Sequence, residues 1–355
     1  MPTVRQISIP SLVRIKAGAL ARLGIYLQRR ACSNVLVLVS EDLPQSIEET
    51  ARRSFAGAKV RTLQWQHVRN NDFETTVQLF NRMPGSVQAI AGIGGGKVLD
   101  CAKYMAFLAK LPYYAVPTSL SNDGFCSPRS SLTIEGKRRS LPAAMPLGLV
   151  VDVEVCRAAP KALWLSGMGD LVSKLTAVAD WKLAFHRTGE PVDDLAALLS
   201  DASVYQFIAA PTCDARGLAL LATALMQNGI AMEICGSSRP ASGSEHLVSH
   251  ALDALSARPR LHGLQVGMAT YIMSRLQGGH STAMIRNLFE TTGFWDAIRN
   301  DPFLREEWLA AFAAAPSIKE RYFTTLSLGK EDGRDCPAEA AEIIGADPAL
   351  HGCFV

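Results

Sequence analysis

The sequence predicts an α/β domain with a parallel sheet, followed by an all-α domain. Apolar runs of strand length alternate with helical stretches through the first part of the chain, and one such run leads through a glycine-rich turn into a helix. Beyond residue 153, strand-like runs nearly vanish and helical periodicity takes over. We therefore predict an α/β domain over residues 1–153 and a helical domain over residues 154–355.

The predicted strands of the first domain are short apolar runs between turn signals. The clearest is Asn34–Ser40, whose continuous apolar character suits a strand of a parallel sheet that is covered on both faces. Pro10 favours a pair of short edge strands within residues 7–16. The other predicted elements are strands at 59–65, 87–93, 113–116 and 148–152, a hairpin tip at 136–140, and helices at 18–28, 44–56, 73–82 and 101–108.

In the second domain, apolar residues recur at the spacing of helix faces rather than of strands. No internal repeat is evident in this part of the sequence. The predicted helices are 171–186, 195–208, 217–235, 244–255, 264–277 and 281–292.

Composition restricts the class of protein. The chain has 355 residues, of which 48% are hydrophobic and 19% charged, which is typical of a globular protein with a sizeable core. A net charge of +3 is too small to indicate a nucleic-acid partner. The sequence shows neither a signal peptide nor 18 consecutive apolar residues, so we expect a cytoplasmic protein without a membrane span. The eight cysteines form no C-x-x-C pair, which argues against a zinc-thiolate site or a disulfide framework.

The glycine-rich turn predicts a phosphate-binding site. Gly94, Gly95 and Gly96 follow a strand and precede a helix, so a pyrophosphate can approach the unpaired N–H groups of the first helical turn. Asp100 follows within about one turn, where the helix dipole favours a carboxylate. Lys97 stands where the usual dinucleotide fingerprint has glycine, so an ordinary strand-to-helix turn is the alternative interpretation.

Three histidines indicate a metal site in the second domain. His246 and His250 are four residues apart and share one helix face, and His262 follows a loop. Neutral imidazoles brought together are typical transition-metal ligands, although hydrogen-bonded structural histidines are the alternative. Asp170, between a predicted glycine turn at Gly167–Gly169 and an apolar helix, offers an anionic ligand, but capping of a helix N-terminus is the commoner role for aspartate at such a position.

Taken together, these motifs resemble the sn-glycerol-1-phosphate dehydrogenases, which belong to the superfamily of iron-containing alcohol dehydrogenases, glycerol dehydrogenase and dehydroquinate synthase. The resemblance extends from about residue 10 to about residue 290, with the motifs in the family order. It depends on Gly94-Gly95-Gly96-Lys97-x-x-Asp100-x-x-Lys103, Pro117-Thr118-Ser119-x-x-Asn122-Asp123-Gly124, Ser127-Pro128-Arg129, Gly169-Asp170-Leu171-x-Ser173-Lys174, Gly243-Ser244-Glu245-His246-x-x-x-His250 and Leu261-His262-Gly263.

The resemblance implies a dehydroquinate synthase-like, glycerol dehydrogenase-like architecture that binds NAD or NADP and one divalent metal. Zinc is usual in this subgroup, with iron or nickel as alternatives. The implied metal ligands are Asp170, His246 and His262, with His250 next to the substrate as a proton relay. Because His246 and His250 lie one helical turn apart, His250 is the alternative middle ligand.

Further roles follow from the same resemblance. Asp123 would position the substrate or the nicotinamide ribose, with local turn capping as the alternative. Lys174 and Arg129 are candidates for binding a substrate phosphate from their position only, with a surface residue as the alternative. Glu41 or Asp42, at the end of the first apolar strand, would accept from the adenosine 2′-hydroxyl and favour NAD, with helix capping as the alternative. The implied cofactor contacts are Gly94, Gly95, Gly96, Lys97, Asp100, Thr118, Ser119 and Ser127, and local turn capping is the alternative for the hydroxyl residues.

The implied reaction is reversible reduction of dihydroxyacetone phosphate by NAD(P)H to sn-glycerol 1-phosphate. The substrate would thus be a phosphorylated triose or polyol, and we expect a homo-oligomer. The alternatives are a glycerol dehydrogenase-like enzyme or another polyol or ketone reductase, a dehydroquinate synthase-like cyclase, and a catalytically inactive nucleotide-binding module. Asp170 speaks against the cyclase, whose first metal ligand is a glutamate.

Overall fold

The computed structural model describes residues 6–319, 321–329 and 332–355. The chain forms two compact units: one comprises the residues up to Pro160 together with Cys213–Ile234, and the other Lys161–Thr212 together with Cys235–Val355. We expected a single boundary at residue 153, whereas here a helix from the later sequence belongs to the first unit. The physical reason is close packing, since a Cβ atom at Gly229 would overlap the backbone carbonyl of Cys126.

The first unit contains eight strands and six helices among the described residues. The strands are β1 (Leu12–Lys16), β2 (Asn34–Ser40), β3 (Arg61–Val68), β4 (Ala89–Gly94), β5 (Tyr113–Pro117), β6 (Arg129–Ile134), β7 (Lys137–Pro142) and β8 (Gly148–Asp152). The helices are α1 (Leu23–Gln28), α2 (Gln45–Gly57), α3 (Phe73–Asn81), α4 (Gly96–Ala109), α5 (Val153–Ala158) and, from the later segment, α9 (Ala215–Cys235).

Six of these strands form one parallel sheet in the order β1-β8-β5-β4-β2-β3, and β6 and β7 form a separate antiparallel hairpin. The prediction of a parallel sheet is therefore confirmed, and the interior of β2 is buried as its apolar run requires. The predicted strand pair within residues 7–16 is wrong. A single strand, β1, forms there, and its partner is β8, from the other end of the unit's first segment.

The described part of the second unit is helical. Its α-helices are α6 (Lys161–Val172), α7 (Lys174–Thr188), α8 (Asp194–Ile208), α10 (Ser244–Leu255), α11 (His262–Leu276), α12 (Thr282–Thr292), α13 (Phe294–Arg299), α14 (Arg305–Ala314) and α15 (Cys336–Ala346). We expected Gly167 and Gly169 to form a turn, but both lie inside α6. A Cβ at Gly169 would overlap the carbonyl of Gly263, so Gly169 allows α6 and α11 to pack closely.

Asp180 joins three segments of the second unit. Its buried carboxylate accepts hydrogen bonds from the backbone N–H (2.6 Å) and hydroxyl (2.5 Å) of Ser244, and from Nε2 of Gln277 (2.9 Å). The backbone N–H (2.8 Å) and hydroxyl (2.6 Å) of Thr325 donate to the same carboxylate. Because α10 begins at Ser244, Asp180 also faces the positive end of that helix dipole. The start of α10 is therefore held firmly by a residue of α7.

Helix α9 meets the length and composition test for a membrane span, and it is the one helix of the described residues that does. Half of the stretch tested is buried inside the protein. A single helix of this kind is weak evidence for a membrane span, because core helices of globular proteins have the same length and composition.

The buried cysteines should resist alkylation in the folded protein. Burial raises the pKa of Cys101, Cys126 and Cys156 to about 12, so only about one thiol in 10⁴ would be ionised at pH 8. Cys213 and Cys235 are only half-buried. We expect iodoacetamide at pH 8 to label no more than these two of the eight cysteines, and all eight after denaturation, as counted by intact-protein mass spectrometry. Rapid native labelling of Cys101 or Cys126 would contradict this environment.

Candidate functional site

Three side chains of the second unit bring ligand atoms to one point. Asp170 lies in the last turn of α6, His246 is the third residue of α10, and His262 is the first residue of α11. Oδ1 of Asp170 lies 3.4 Å from Nε2 of His246 and 3.8 Å from Nε2 of His262. Ligands of a tetrahedral zinc ion, with bonds of about 2.1 Å, lie about 3.4 Å apart. The donor set and its spacing therefore fit one divalent metal.

The position of Asp170 excludes its alternative role as a helix N-cap, because it lies near the end of α6 and not at the start of a helix. Its carboxylate is buried. Burial alone would raise the pKa of Asp170, but nearby positive charge, chiefly the Lys174 ammonium, outweighs burial and holds that pKa below its ordinary value. Asp170 therefore presents an ionised oxygen, as a metal ligand must.

The other ring nitrogen of each histidine also has a partner. Nδ1 of His246 lies 2.8 Å from Oε1 of Glu245, and Nδ1 of His262 lies 3.3 Å from the hydroxyl of Ser249. Metal-binding histidines are commonly oriented in this way, with one nitrogen on the metal and the other donating to an oxygen. Both rings thus direct Nε2 towards Asp170.

His250 lies beside this cluster and not in it. Its ring centroid is 6.4 Å from that of His246 and 6.0 Å from that of His262, and its Nδ1 lies 4.0 Å from a carboxylate oxygen of Asp253. The three ligand atoms that converge within 4.8 Å of one another belong to Asp170, His246 and His262. The geometry therefore favours His246 over His250 as the middle ligand.

Lys174 is not placed as a phosphate-binding residue would be. Its side chain is fully buried, with Nζ 3.4 Å from Oδ1 of Asp170 and 3.3 Å from the carbonyl oxygen of Ala241. Arg129, the other candidate, donates from Nη2 to the carbonyl of Ser140 within the β6–β7 hairpin. The position of Lys174 supports a different role, that of counter-ion to the Asp170 carboxylate.

The glycine turn of the first unit combines a strained position with two open ones. Gly94 ends β4 at φ +142°, where a Cβ would overlap the Ser40 hydroxyl and lie 2.8 Å from Cγ1 of Val98. At Gly95 and Gly96 a Cβ would meet no described atom within 4 Å beyond the chain neighbours. The start of α4 is therefore open, as a pyrophosphate requires, and Lys97 beside it is exposed.

Asp100 and Lys103 lie deeper in α4 than the glycine turn. Asp100 is the fifth residue of the helix, and burial raises its pKa. Nζ of the fully buried Lys103 lies 3.5 Å from Asp100 Oδ1 and donates to the carbonyls of Gly124 (2.5 Å) and Arg129 (2.6 Å). Lys103 thus holds the loop that carries Asp123 against α4. The sequence assigned no role to Lys103, although Lys103 stands three residues after Asp100 in the glycine motif.

The remaining predicted cofactor contacts lie in the loop after β5. The backbone N–H of Thr118 donates to the carbonyl of Gly94 (3.1 Å), so this loop adjoins the glycine turn. Thr118 and Ser119 are half-buried, whereas Ser127 is only 3% exposed and donates to the carbonyl of Arg129 (3.1 Å). The geometry at Ser127 supports the alternative of local capping.

The half-buried Asp123 opens a short 3₁₀ turn, in which the side chain of Asn122 accepts from the backbone N–H of Gly124 (2.9 Å). Asp42 and Glu41 are exposed just beyond β2, and a carboxylate oxygen of Glu41 lies 3.8 Å from Nε of Arg69. Pro44 occupies the N-cap of α2 without a side-chain capping bond, so the capping alternative for Asp42 and Glu41 is wrong.

Comparison with known proteins identifies relatives of the chain. A family model described as iron-containing alcohol dehydrogenase matches residues 14–160. The chain is 33% identical to a glycerol-1-phosphate dehydrogenase (NAD(P)+) of Thermofilum pendens, over 88% of this chain and 91% of that protein. The enzyme of the same name from Thermococcus sibiricus is 34% identical, over 87% of this chain and 96% of that protein. A crystal structure of glycerol dehydrogenase from Schizosaccharomyces pombe shares the fold, with a TM-score of 0.74 at 18% identity, covering 98% of this chain and 91% of that one. The chain therefore belongs to the glycerol-1-phosphate dehydrogenase family of the iron-containing alcohol dehydrogenases.

Proposed function

We propose that this protein is an NAD(P)-dependent, metal-dependent dehydrogenase that interconverts dihydroxyacetone phosphate and sn-glycerol 1-phosphate. The observation that carries the proposal is the convergence of Asp170, His246 and His262 in a chain of this family. One carboxylate and two imidazoles are a typical catalytic donor set, because they leave further metal positions for substrate oxygens. We propose zinc as the resident metal, with iron or nickel as alternatives.

When bound, the metal supplies Lewis acidity that polarises the substrate ketone during hydride transfer. The chain's own residues hold and orient the reactants. Asp170, His246 and His262 would hold the metal, and Lys174 balances the charge of Asp170. His250, whose side chain is 31% exposed and adjoins the cluster, would carry a proton between the substrate oxygen and water. Asp123, on the loop pinned by Lys103, would orient the substrate or the nicotinamide ribose.

The glycine turn would bind the cofactor pyrophosphate at the open start of α4. The choice between NAD and NADP depends on charges near the end of β2. Glu41 and Asp42 would repel a 2′-phosphate, whereas Arg69, which is 83% exposed beside Glu41, would attract one. We therefore propose either NAD or NADP as the cofactor, and the substrate panel uses both. A cytoplasmic homo-oligomer remains part of the proposal.

A substrate panel tests this function. We expect the zinc-loaded protein to oxidise sn-glycerol 1-phosphate at least about 100-fold more efficiently than sn-glycerol 3-phosphate or glycerol. Glycerol lacks the phosphate, and sn-glycerol 3-phosphate is the mirror image, which cannot place its phosphate and its secondary hydroxyl on the same partners at once. Initial rates of NADH or NADPH formation give kcat/KM for each compound. Chelation should abolish turnover, and add-back of zinc, iron or nickel identifies the effective metal. A preference for glycerol would instead support a glycerol dehydrogenase-like enzyme.

A further inference from the structure

Glu245 is a buried carboxylate to which the proposed reaction assigns no role. Its side chain has no exposed surface, and a buried carboxylate is costly unless its oxygens are hydrogen-bonded. Oε1 accepts from Nδ1 of His246 (2.8 Å) and from the backbone N–H of Gly243 (2.7 Å). Oε2 accepts from the hydroxyl of Thr176 (2.9 Å). Both oxygens are held, so the carboxylate cannot rotate without breaking at least one of these bonds.

The groups that hold Glu245 come from two helices. Thr176 belongs to α7, and Gly243 immediately precedes α10. Asp180, also on α7, fixes the start of α10 through its two hydrogen bonds with Ser244. The carboxylate is thus anchored independently of the imidazole. The ring of His246 therefore takes its orientation from Glu245, and not the reverse.

We propose that Glu245 is the positioning residue of the metal centre and holds His246 with Nε2 facing Asp170. This inference rests on the proposed metal centre and needs no contact between Glu245 and the substrate. When Nδ1 carries the proton and donates it to the carboxylate, Nε2 keeps its lone pair on the side of Asp170 Oδ1, 3.4 Å away. Negative charge behind the ring also makes that lone pair a better metal ligand.

His262 provides a comparison within the same cluster. Its Nδ1 meets a neutral hydroxyl, that of Ser249, at 3.3 Å, and Nε2 of Gln265 donates to the same hydroxyl at 3.1 Å. The two histidines therefore differ in the charge behind the ring. Removing the charge behind His246 should weaken metal binding more than removing the hydroxyl behind His262.

The test is the zinc affinity of Glu245→Gln, measured on metal-free protein by competition with a chromophoric chelator. The glutamine keeps the shape and one oxygen acceptor but loses the charge, so we expect the zinc Kd to rise about 10-fold, and up to about 100-fold in Glu245→Ala. Ser249→Ala should raise it less than Glu245→Gln does. This measurement does not depend on turnover.

Asp347→Asn is the matched control, because Asp347 is another buried carboxylate of the second unit. It accepts from Tyr271 Oη (3.0 Å) and Arg275 Nη1 (2.8 Å), neither of which is a proposed ligand, so this variant should keep wild-type zinc affinity. Unchanged zinc affinity in Glu245→Gln, or an equal loss in Asp347→Asn, would overturn the positioning role.

A second variant covers failure of Glu245→Gln to fold. Thr176→Val removes the hydroxyl that lies 2.9 Å from Glu245 Oε2, and with it the contact of that hydroxyl with the carbonyl of Ser173 (2.9 Å). The loss of support for Oε2 should raise the zinc Kd about threefold, the value of one ordinary hydrogen bond. An unchanged Kd in Thr176→Val would then overturn the inference. A wild-type protein without zinc affinity would overturn the proposed metal centre itself, which separates failure of the proposed function from failure of this inference.

Discussion

His262→Ala should abolish stoichiometric metal binding and lower kcat/KM for dihydroxyacetone phosphate by at least about 10³-fold, which corresponds to about 4 kcal/mol of transition-state stabilisation. Two of the three proposed ligands remain, and they cannot hold the ion against water and chelators. The truncation leaves the buried ion pair of Asp170 and Lys174 in place. Metal analysis after gel filtration and initial-rate kinetics measure the two losses. Full metal occupancy in this variant would remove His262 from the ligand set.

His280→Ala is the matched control, since His280 is an exposed histidine of the same unit. It should retain metal and activity.

Asp170→Ala should lose metal, as His262→Ala does, and it should also lose folding stability. Because Lys174 is fully buried beside Asp170, the variant leaves a buried ammonium without its counter-ion, at a cost of about 3–5 kcal/mol of folding stability. A lower melting temperature in Asp170→Ala than in His262→Ala would show this difference.

Gly94→Ala should cost both stability and cofactor binding, whereas Gly95→Ala should cost only binding. At φ +142° an alanine at position 94 is strained and overlaps Ser40, which we expect to cost about 3 kcal/mol and to distort the start of α4. A Cβ at Gly95 meets open space in the protein, so a loss of affinity there can come only from the cofactor that fills this space. We expect the Kd for NADH to rise at least about 10-fold in both variants.

Thermal melting and NADH fluorescence titration separate the two effects. Gly57→Ala, at the end of α2, is the control, because a Cβ there also meets no described atom within 4 Å. It should match the wild-type protein in both measurements. Unchanged NADH affinity in Gly95→Ala would place the pyrophosphate away from this turn.

The sequence was sufficient where local pattern decides structure. The apolar run of β2 and the helical spacing of α10 predicted elements that the structure contains, and the spacing of His246 and His250 placed both rings on one helix face. The choice between these two histidines depends on Asp170 and His262, which lie on α6 and α11 and converge with His246. No spacing rule along one helix can reveal such a convergence.

The predicted turn at Gly167–Gly169 is wrong: glycine is common in turns, but it also allows helices to pack closely. A Cβ at Gly169 would overlap the carbonyl of Gly263, so the role of this glycine depends on α11 as much as on α6. Lys174 was a candidate for the substrate phosphate from its position alone, whereas the structure buries it beside the carboxylate of Asp170, four residues earlier. The partner of Gly169, in contrast, lies 94 residues further along the chain, where no local pattern reveals it.

Helix α9 also affects how the protein is made. A nascent chain that has left the ribosome as far as Pro160 contains β1 to β8, but it lacks the α9 helix that packs against the Cys126 turn. At about 5–20 residues per second, synthesis delivers α9 only several seconds later, after α6, α7 and α8 have emerged. During that interval the apolar surface that α9 will cover is exposed to chaperones and to neighbouring chains. The first unit can therefore complete its folding during synthesis only after a segment from the second half of the chain has emerged.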